Sequence, residues 1–192
     1  MEFEAAGIMG AIYGDGFTSL PKAFSPSFAD TLREDIETLF AEAREIEGGA
    51  LPRGPERWYV EVQPERIRGF VEIATHPWFV AVCEAVLGTA YRTVEIGFDI
   101  PFPGAADQPW HRDFPMPDAT RVERRVNSLA FNLTAVDTRP DMGPFRSLPG
   151  RNGTSLKAAK WACSRHRICG RAMPQKRVRP CRNVVTYRLA RH

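Results

Sequence analysis

A mainly β domain fronted by helices is the fold class this 192-residue sequence predicts, and three observations carry it. Apolar residues recur at helical spacing through 28–43 and again through 77–87, both in the first half of the chain. Alternation with a period of two takes over at Val94–Ile100 and Ser128–Val136, as in strands with one buried face. The composition, 43% apolar and 26% charged, is that of one globular domain long enough to bury a sizeable core.

Taken in order, the first twenty or so residues, with Ile12, Tyr13 and Phe17 punctuated by Gly10, Gly14 and Gly16, read as an extended lead-in. A helix is predicted from Ser27, because Phe28, Leu32, Ile36, Leu39, Phe40 and Ala43 share a stripe while Asp30, Arg33, Glu34, Asp35 and Glu37 hold the other side. Asp30, three residues after Ser27, gives that start a capping-box pattern. The helix stops before Gly48-Gly49. Trp58–Val62 alternates weakly and reads as a short strand. Pro77 suits the first position of a second helix running through Trp78, Phe79, Val82, Cys83 and Val86 to Leu87-Gly88, with His76 an exposed or capping residue before it.

Val94, Ile96, Phe98 and Ile100 form the buried face of the next strand, which Pro101, Pro103 and Gly104 break. Residues 115–125 are a charged loop. The strand over Ser128–Val136 places Leu129, Phe131, Leu133 and Ala135 on one face and Ser128, Ala130, Asn132, Thr134 and Val136 on the other, the pattern of a wall with a hydrophilic inside or of a half-exposed sheet.

Between these strands lies Pro109-Trp110-His111-Arg112-Asp113. Two residues apart in an extended segment, His111 and Asp113 leave the backbone on the same side. An imidazole nitrogen and a carboxylate oxygen so placed supply two corners of a two-histidine, one-carboxylate iron site, and Trp110 and Phe114 are positioned to shield it. A histidine bonded to a neighbouring aspartate accounts for the same spacing. His76 is a further histidine with no metal-ligand pattern around it.

The His-x-Asp pair, the strand Ser128–Val136, the turn Asp141-Met142-Gly143-Pro144-Phe145 and then Pro149-Gly150 follow one another in an order that resembles the phytanoyl-CoA dioxygenase family of Fe(II)- and 2-oxoglutarate-dependent oxygenases, over residues 10–150. The resemblance implies a double-stranded β-helix (jelly-roll, cupin-like) core backed by N-terminal helices, incomplete in this sequence. It makes His111 and Asp113 catalytic metal ligands for Fe(II), with 2-oxoglutarate as cosubstrate and ascorbate as accessory reductant. Trp110, Asn132 and Thr134 become the candidate cosubstrate contacts. The family also carries a distal histidine and, beyond it, an arginine for the far carboxylate of 2-oxoglutarate; neither is identifiable here.

Charge explains where that pattern stops. Residues 1–145 hold 13 Lys+Arg against 23 Asp+Glu, a net charge of −10, whereas 146–192 hold 13 Lys+Arg and no acid, so the overall +3 describes neither part. The sequence therefore divides into 1–145, helices plus the first part of the oxygenase domain, and 146–192, an atypical basic tail of low expected order. Three readings account for the tail. A nucleic-acid arm fits the charge but lacks a helical stripe or a long alternating strand. A zinc site from Cys163, His166, Cys169 and Cys181 lacks the usual paired spacing. A change of reading frame near Phe145 explains together the loss of acids, the gain of arginine and cysteine, and the missing histidine and arginine, for which His166, His192, Arg182, Arg188 and Arg191 are poor replacements.

The resulting expectation is an oxygenase acting on a small organic substrate and inactive as written. A cupin-like metal-binding, isomerase or structural domain and a basic nucleic-acid-binding module are the alternatives. No run of eighteen apolar residues and no basic-then-apolar leader is present, which points to a cytoplasmic protein without membrane partners. The sequence does not set an oligomeric state.

Overall fold

The computed structural model describes residues 4–109, 111, 122, 126–139, 142, 145–146 and the backbone of 184–190. Within these, four helices (α1 Ala5–Gly14, α2 Pro26–Arg44, α3 Phe70–Ala74, α4 Pro77–Leu87) and a 3-10 turn at Pro64–Arg66 accompany five strands. The strands are β1 Leu51–Pro52, β2 Arg57–Glu61, β3 Arg92–Pro101, β4 Ser128–Thr134 and β5 Val184–Ala190. They form one antiparallel sheet in the order β1-β2-β3-β5-β4.

The two expected helices form for the stated reasons, with one shift. Ser25, not Ser27, caps α2: its hydroxyl accepts from the Phe28 backbone N–H at 3.1 Å, and Pro26 takes the first turn. Asp30 therefore lies inside the helix and pairs with Arg33 one turn on, at 3.5 Å, so there is no capping box. The stripe Phe28, Leu32, Ile36, Leu39 and Ala43 is buried as expected. Asp35, on the same side, is also buried, and there it accepts from the backbone N–H of Arg68 at 2.7 Å and from its Nε at 2.6 Å. That pair ties the loop before α3 to α2. Glu34 joins at 3.0 Å, and together the two carboxylates hold the Arg68 guanidinium pKa above its ordinary value, Asp35 contributing most.

The lead-in is helical rather than extended. Gly7, Gly10 and Gly14 weaken α1 locally, but Ile8 is buried in the core and Met9 and Ile12 pack against it, so tertiary burial outweighs the glycine cost of about 1 kcal/mol each. His76 occupies the N-cap position of α4 without a side-chain capping bond. It is part-buried instead of exposed, its ring edge-on to Phe24 at 6.0 Å and tilted against Trp78 at 5.5 Å.

The sheet has two unlike faces. Trp58 and Val60 of β2, Ile96, Phe98 and Ile100 of β3, and Leu129, Phe131 and Leu133 of β4 point toward the helices. Phe131 stacks on Phe79 of α4 at 4.3 Å, and Trp58 meets Phe40 of α2 at 6.1 Å and Phe102 at 5.3 Å. Val94, expected on this face, is 40% exposed, because the register with β5 shifts between Thr93 and Glu95 and leaves it as a bulge residue.

The largest departure is β5. Val184–Ala190 lies in the segment read as a basic tail without a long strand, yet it pairs along seven residues with β4 and inserts between β3 and β4. Val184, Val185, Thr186 and Tyr187 are strand-forming residues, and two partner strands satisfy both of the segment's backbone edges.

Candidate functional site

The face turned away from the helices is polar, and its geometry follows from the register. On β2 and β3, Arg57, Tyr59, Glu95, Gly97 and Asp99 share it; on β4, Ala130, Asn132 and Thr134 do. The ladder aligns Tyr59, Asp99, Val184 and Thr134 in one row and Glu61, Gly97, Thr186 and Asn132 in the next. Asn132 and Thr134 are both exposed, as a hydrophilic inner wall requires.

The charged groups on this face are fixed rather than floating. The Arg57 guanidinium donates to both oxygens of Asp99, Nε at 2.8 Å and Nη2 at 2.9 Å, a two-pronged geometry stronger than a single contact. The Tyr59 phenol donates to the Glu95 carboxylate. Its ring lies across Gly97, where a Cβ would approach Tyr59 Cζ to 2.5 Å and Cε2 to 2.8 Å, so only glycine admits the tyrosine. The Arg53 guanidinium lies over the ring, 3.9 Å from its centroid. Motif reading passed over Arg53, Tyr59, Glu95 and Gly97, although a glycine inside an alternating strand is itself a sign of close approach.

His111 is exposed, and its Nδ1 lies 2.8 Å from the carbonyl oxygen of Pro109. A carbonyl only accepts, so Nδ1 is the donor in this contact. This is how metal-binding histidines are set: one ring nitrogen donates to the backbone while the other keeps its lone pair for the metal. His111 thus fits the role of an Fe(II) ligand. Asp113 and Trp110 lie outside the described residues, as do the loop 115–121, the tail cysteines, His166, His192, Arg182 and Arg191. Among the described residues no group of three His, Cys, Asp or Glu could hold a metal ion. His76 sits among aromatic rings, and its buried Nδ1 has no hydrogen-bond partner among the described residues. Cys83 is buried on α4; burial first and the charge of Glu84 second push its thiol up to about 12, so at neutral pH it offers no thiolate. No described helix is long and apolar enough to cross a membrane.

The comparisons with known proteins agree with the motif order and extend it. No curated protein matches the chain by sequence. Among solved structures, AviO1 from Streptomyces viridochromogenes Tue57 is similar at a TM-score of 0.58 and 17% identity, covering 100% of this chain and 89% of that one, which is a likeness of fold. The model of the phytanoyl-CoA dioxygenase family matches residues 12–174, so the match continues past Gly150, where the recognisable motifs end, into the basic segment. Members of that family use Fe(II) and 2-oxoglutarate and adopt a jelly-roll fold; the described residues of this chain form helices and one five-stranded antiparallel sheet. With 163 of its 192 residues inside the match, the chain belongs to the phytanoyl-CoA dioxygenase family.

Proposed function

We propose that this protein has the framework of an Fe(II)- and 2-oxoglutarate-dependent oxygenase for the hydroxylation of a small organic substrate, with His111 and Asp113 as two of the metal's ligands, and that the sequence as written does not complete the site. The observation that supports the reading is the contact of His111 Nδ1 with the Pro109 carbonyl, the kind of backbone bond a metal-ligating histidine makes through its other ring nitrogen, two residues before a carboxylate. Iron bound there with its cosubstrate supplies the oxidising power for an unactivated C–H bond. The chain's own residues bind and orient. His111 and Asp113 hold the metal, and Asn132, Thr134 and Trp110 are the contacts offered to the cosubstrate.

Metal affinity tests this directly. Titrated with Mn(II) as a redox-silent stand-in, the protein should lose about tenfold or more in affinity on His111→Ala and on Asp113→Ala, since each removes a ligand. Affinity unchanged by both substitutions sinks the metal site. Metal binding that requires both residues but is indifferent to 2-oxoglutarate favours a cupin-like domain of another activity.

Turnover asks a second question, because two ligands fix iron less firmly than three. With Fe(II), ascorbate and labelled 2-oxoglutarate, carbon dioxide release is expected to be no faster than in Asp113→Ala. Asp113-dependent release shows instead that residues 146–192 complete the site. The gene provides an independent check: read in the other frame after the Phe145 codon, it should encode an acid-containing continuation with a histidine and an arginine. Stop codons throughout that frame rule the frame change out.

A further inference from the structure

We propose that Arg53 is a carboxylate-binding residue of the polar face, presenting its guanidinium to an anionic group of the cosubstrate or of the substrate. The proposal rests on the reading of that face as the oxygenase's site and adds a residue, and a ligand charge, to it. Its basis is the contrast of Arg53 with Arg57, its neighbour on the same face, and with the ion-paired arginines of the α2–α3 side. Arg57 is held by Asp99, Arg66 by Glu42 at 2.5 Å, and Arg68 by Asp35 and Glu34. Arg53 has no carboxylate within ion-pair distance among the described residues; its side-chain contact is the face of Tyr59. A guanidinium centred over an aromatic ring does not use its N–H donors on that ring's edge, and its planar fork of donors matches a carboxylate.

The surroundings hold this arginine in place. Arg53 closes the β1–β2 hairpin, its backbone N–H donating to the Arg57 carbonyl at 2.9 Å. The turn between them uses left-handed backbone at Gly54 (φ +106°) and Glu56 (φ +51°), which brings the chain back within four residues. Tyr59 beneath is 5% exposed, seated on Gly97 and tied through its hydroxyl to Glu95. The platform therefore cannot turn away when the cation is pulled by a ligand. Glu95 meets the phenol end of the ring, and its charge is directed at that hydroxyl rather than over the ring face where Arg53 lies. Tyr59 shares a ladder row with Thr134, and Gly97 with Asn132, so an anion at Arg53 lies over the same face as the candidate cosubstrate contacts.

The test uses the full chain, loaded with Mn(II), and two probes: 2-oxoglutarate for the cosubstrate and octanoate for an anionic organic substrate, with octanamide as the uncharged control. Binding is measured by calorimetry, and the Arg53 Nε–Hε resonance is followed by NMR. At least one carboxylate should shift that resonance, octanamide should not, and Arg53→Ala should weaken the carboxylate roughly ten- to hundredfold. Arg53→Lys should recover only part of the loss, because an ammonium on a flexible stem lacks the fork. Loss confined to 2-oxoglutarate assigns Arg53 to the cosubstrate, and loss confined to octanoate assigns it to the substrate. The proposal is overturned if neither carboxylate binds the parent protein, or if Arg53→Ala, with an unchanged thermal midpoint, binds both as before. Failure of the oxygenase reading appears elsewhere, as Mn(II) affinity indifferent to His111→Ala and Asp113→Ala, a measurement Arg53 does not enter.

Discussion

The two faces of the sheet are made from the same strands and share one ladder, yet different forces organise them. Facing the helices, Val60, Ile96, Phe98 and Ile100 are almost fully buried and are held by contact with rings and aliphatic groups of α2 and α4. Facing away, Arg57, Tyr59, Glu95 and Asp99 are held by charge-assisted hydrogen bonds and by the gap at Gly97. The first arrangement tolerates an exchange of one apolar shape for another, because burial has no direction. The second does not: the groups there are placed by particular partners at set distances and directions. Stability is concentrated on the helix side, and the geometry available to a ligand on the other.

Phe98→Ala should produce the largest effect. The side chain is wholly buried, and removing it opens a cavity in the core; a loss of about 3–5 kcal/mol in unfolding free energy is expected from urea denaturation. A loss below about 1 kcal/mol would show that the helix side is not the stabilising one. Gly97→Ala, on the same strand one residue away, acts through the other face. The added methyl displaces the Tyr59 ring and with it the bond to Glu95 and the stack under Arg53, at a cost of about 1–3 kcal/mol. Because the clash is with one side chain, Gly97→Ala combined with Tyr59→Ala should be distinctly less destabilising than the sum of the two. Simple additivity would mean that the glycine serves the backbone and not the tyrosine.

The helix side also predicts a pH dependence. Cys83 lies buried against the core with its thiol raised to about 12, so the folded state favours the protonated form more than the unfolded chain does. A group whose pKa rises on folding contributes stability that is complete below the unfolded value, about 8.5 for a thiol, and that is lost as pH climbs toward the folded one. The urea midpoint should therefore fall between about pH 9 and pH 11 more steeply in the parent than in Cys83→Ala. Parallel slopes would remove Cys83 from the account of alkaline sensitivity.

The same division decides what could be read in advance. The stripe of α2 and the alternation of β3 and β4 are written in consecutive apolar positions, so residues 28–43, 96–100 and 129–133 were legible. Helix α1 was not, because its three glycines argue against a helix locally and only burial of Ile8 by distant residues overrides them. Strand β5 was hidden by its arginine-rich setting and because its partners lie far away in sequence, more than forty residues from β4 and eighty from β3. Within the site, His111 was legible as half of a motif. The Arg53, Tyr59 and Gly97 arrangement was not, since it arises from pairing β2 with β3 across some forty residues and no short pattern records it.

Asn132→Ala should have the smallest effect on stability and the most informative one on function. The side chain is exposed on β4, on the polar face, where substitution away from packed or buried groups stays within about ±0.5 kcal/mol. On the row it shares with Gly97 and Thr186, its amide is nevertheless one of the few side chains of β4 able to donate toward a cosubstrate. If 2-oxoglutarate lies over this face, losing that donor should weaken it by roughly five- to tenfold, the worth of one hydrogen bond of about 1 kcal/mol or a little more. Leu133→Ala, the next residue, supplies the opposite signature: it points to the helices, so it should cost stability and leave the affinity of the remaining folded protein unchanged. Measured together by urea titration and by calorimetry with 2-oxoglutarate on Mn(II)-loaded protein, the two substitutions should separate along different axes. If Asn132→Ala lowers stability as Leu133→Ala does, or if neither changes affinity, the polar face is a solvated surface and the cosubstrate binds elsewhere.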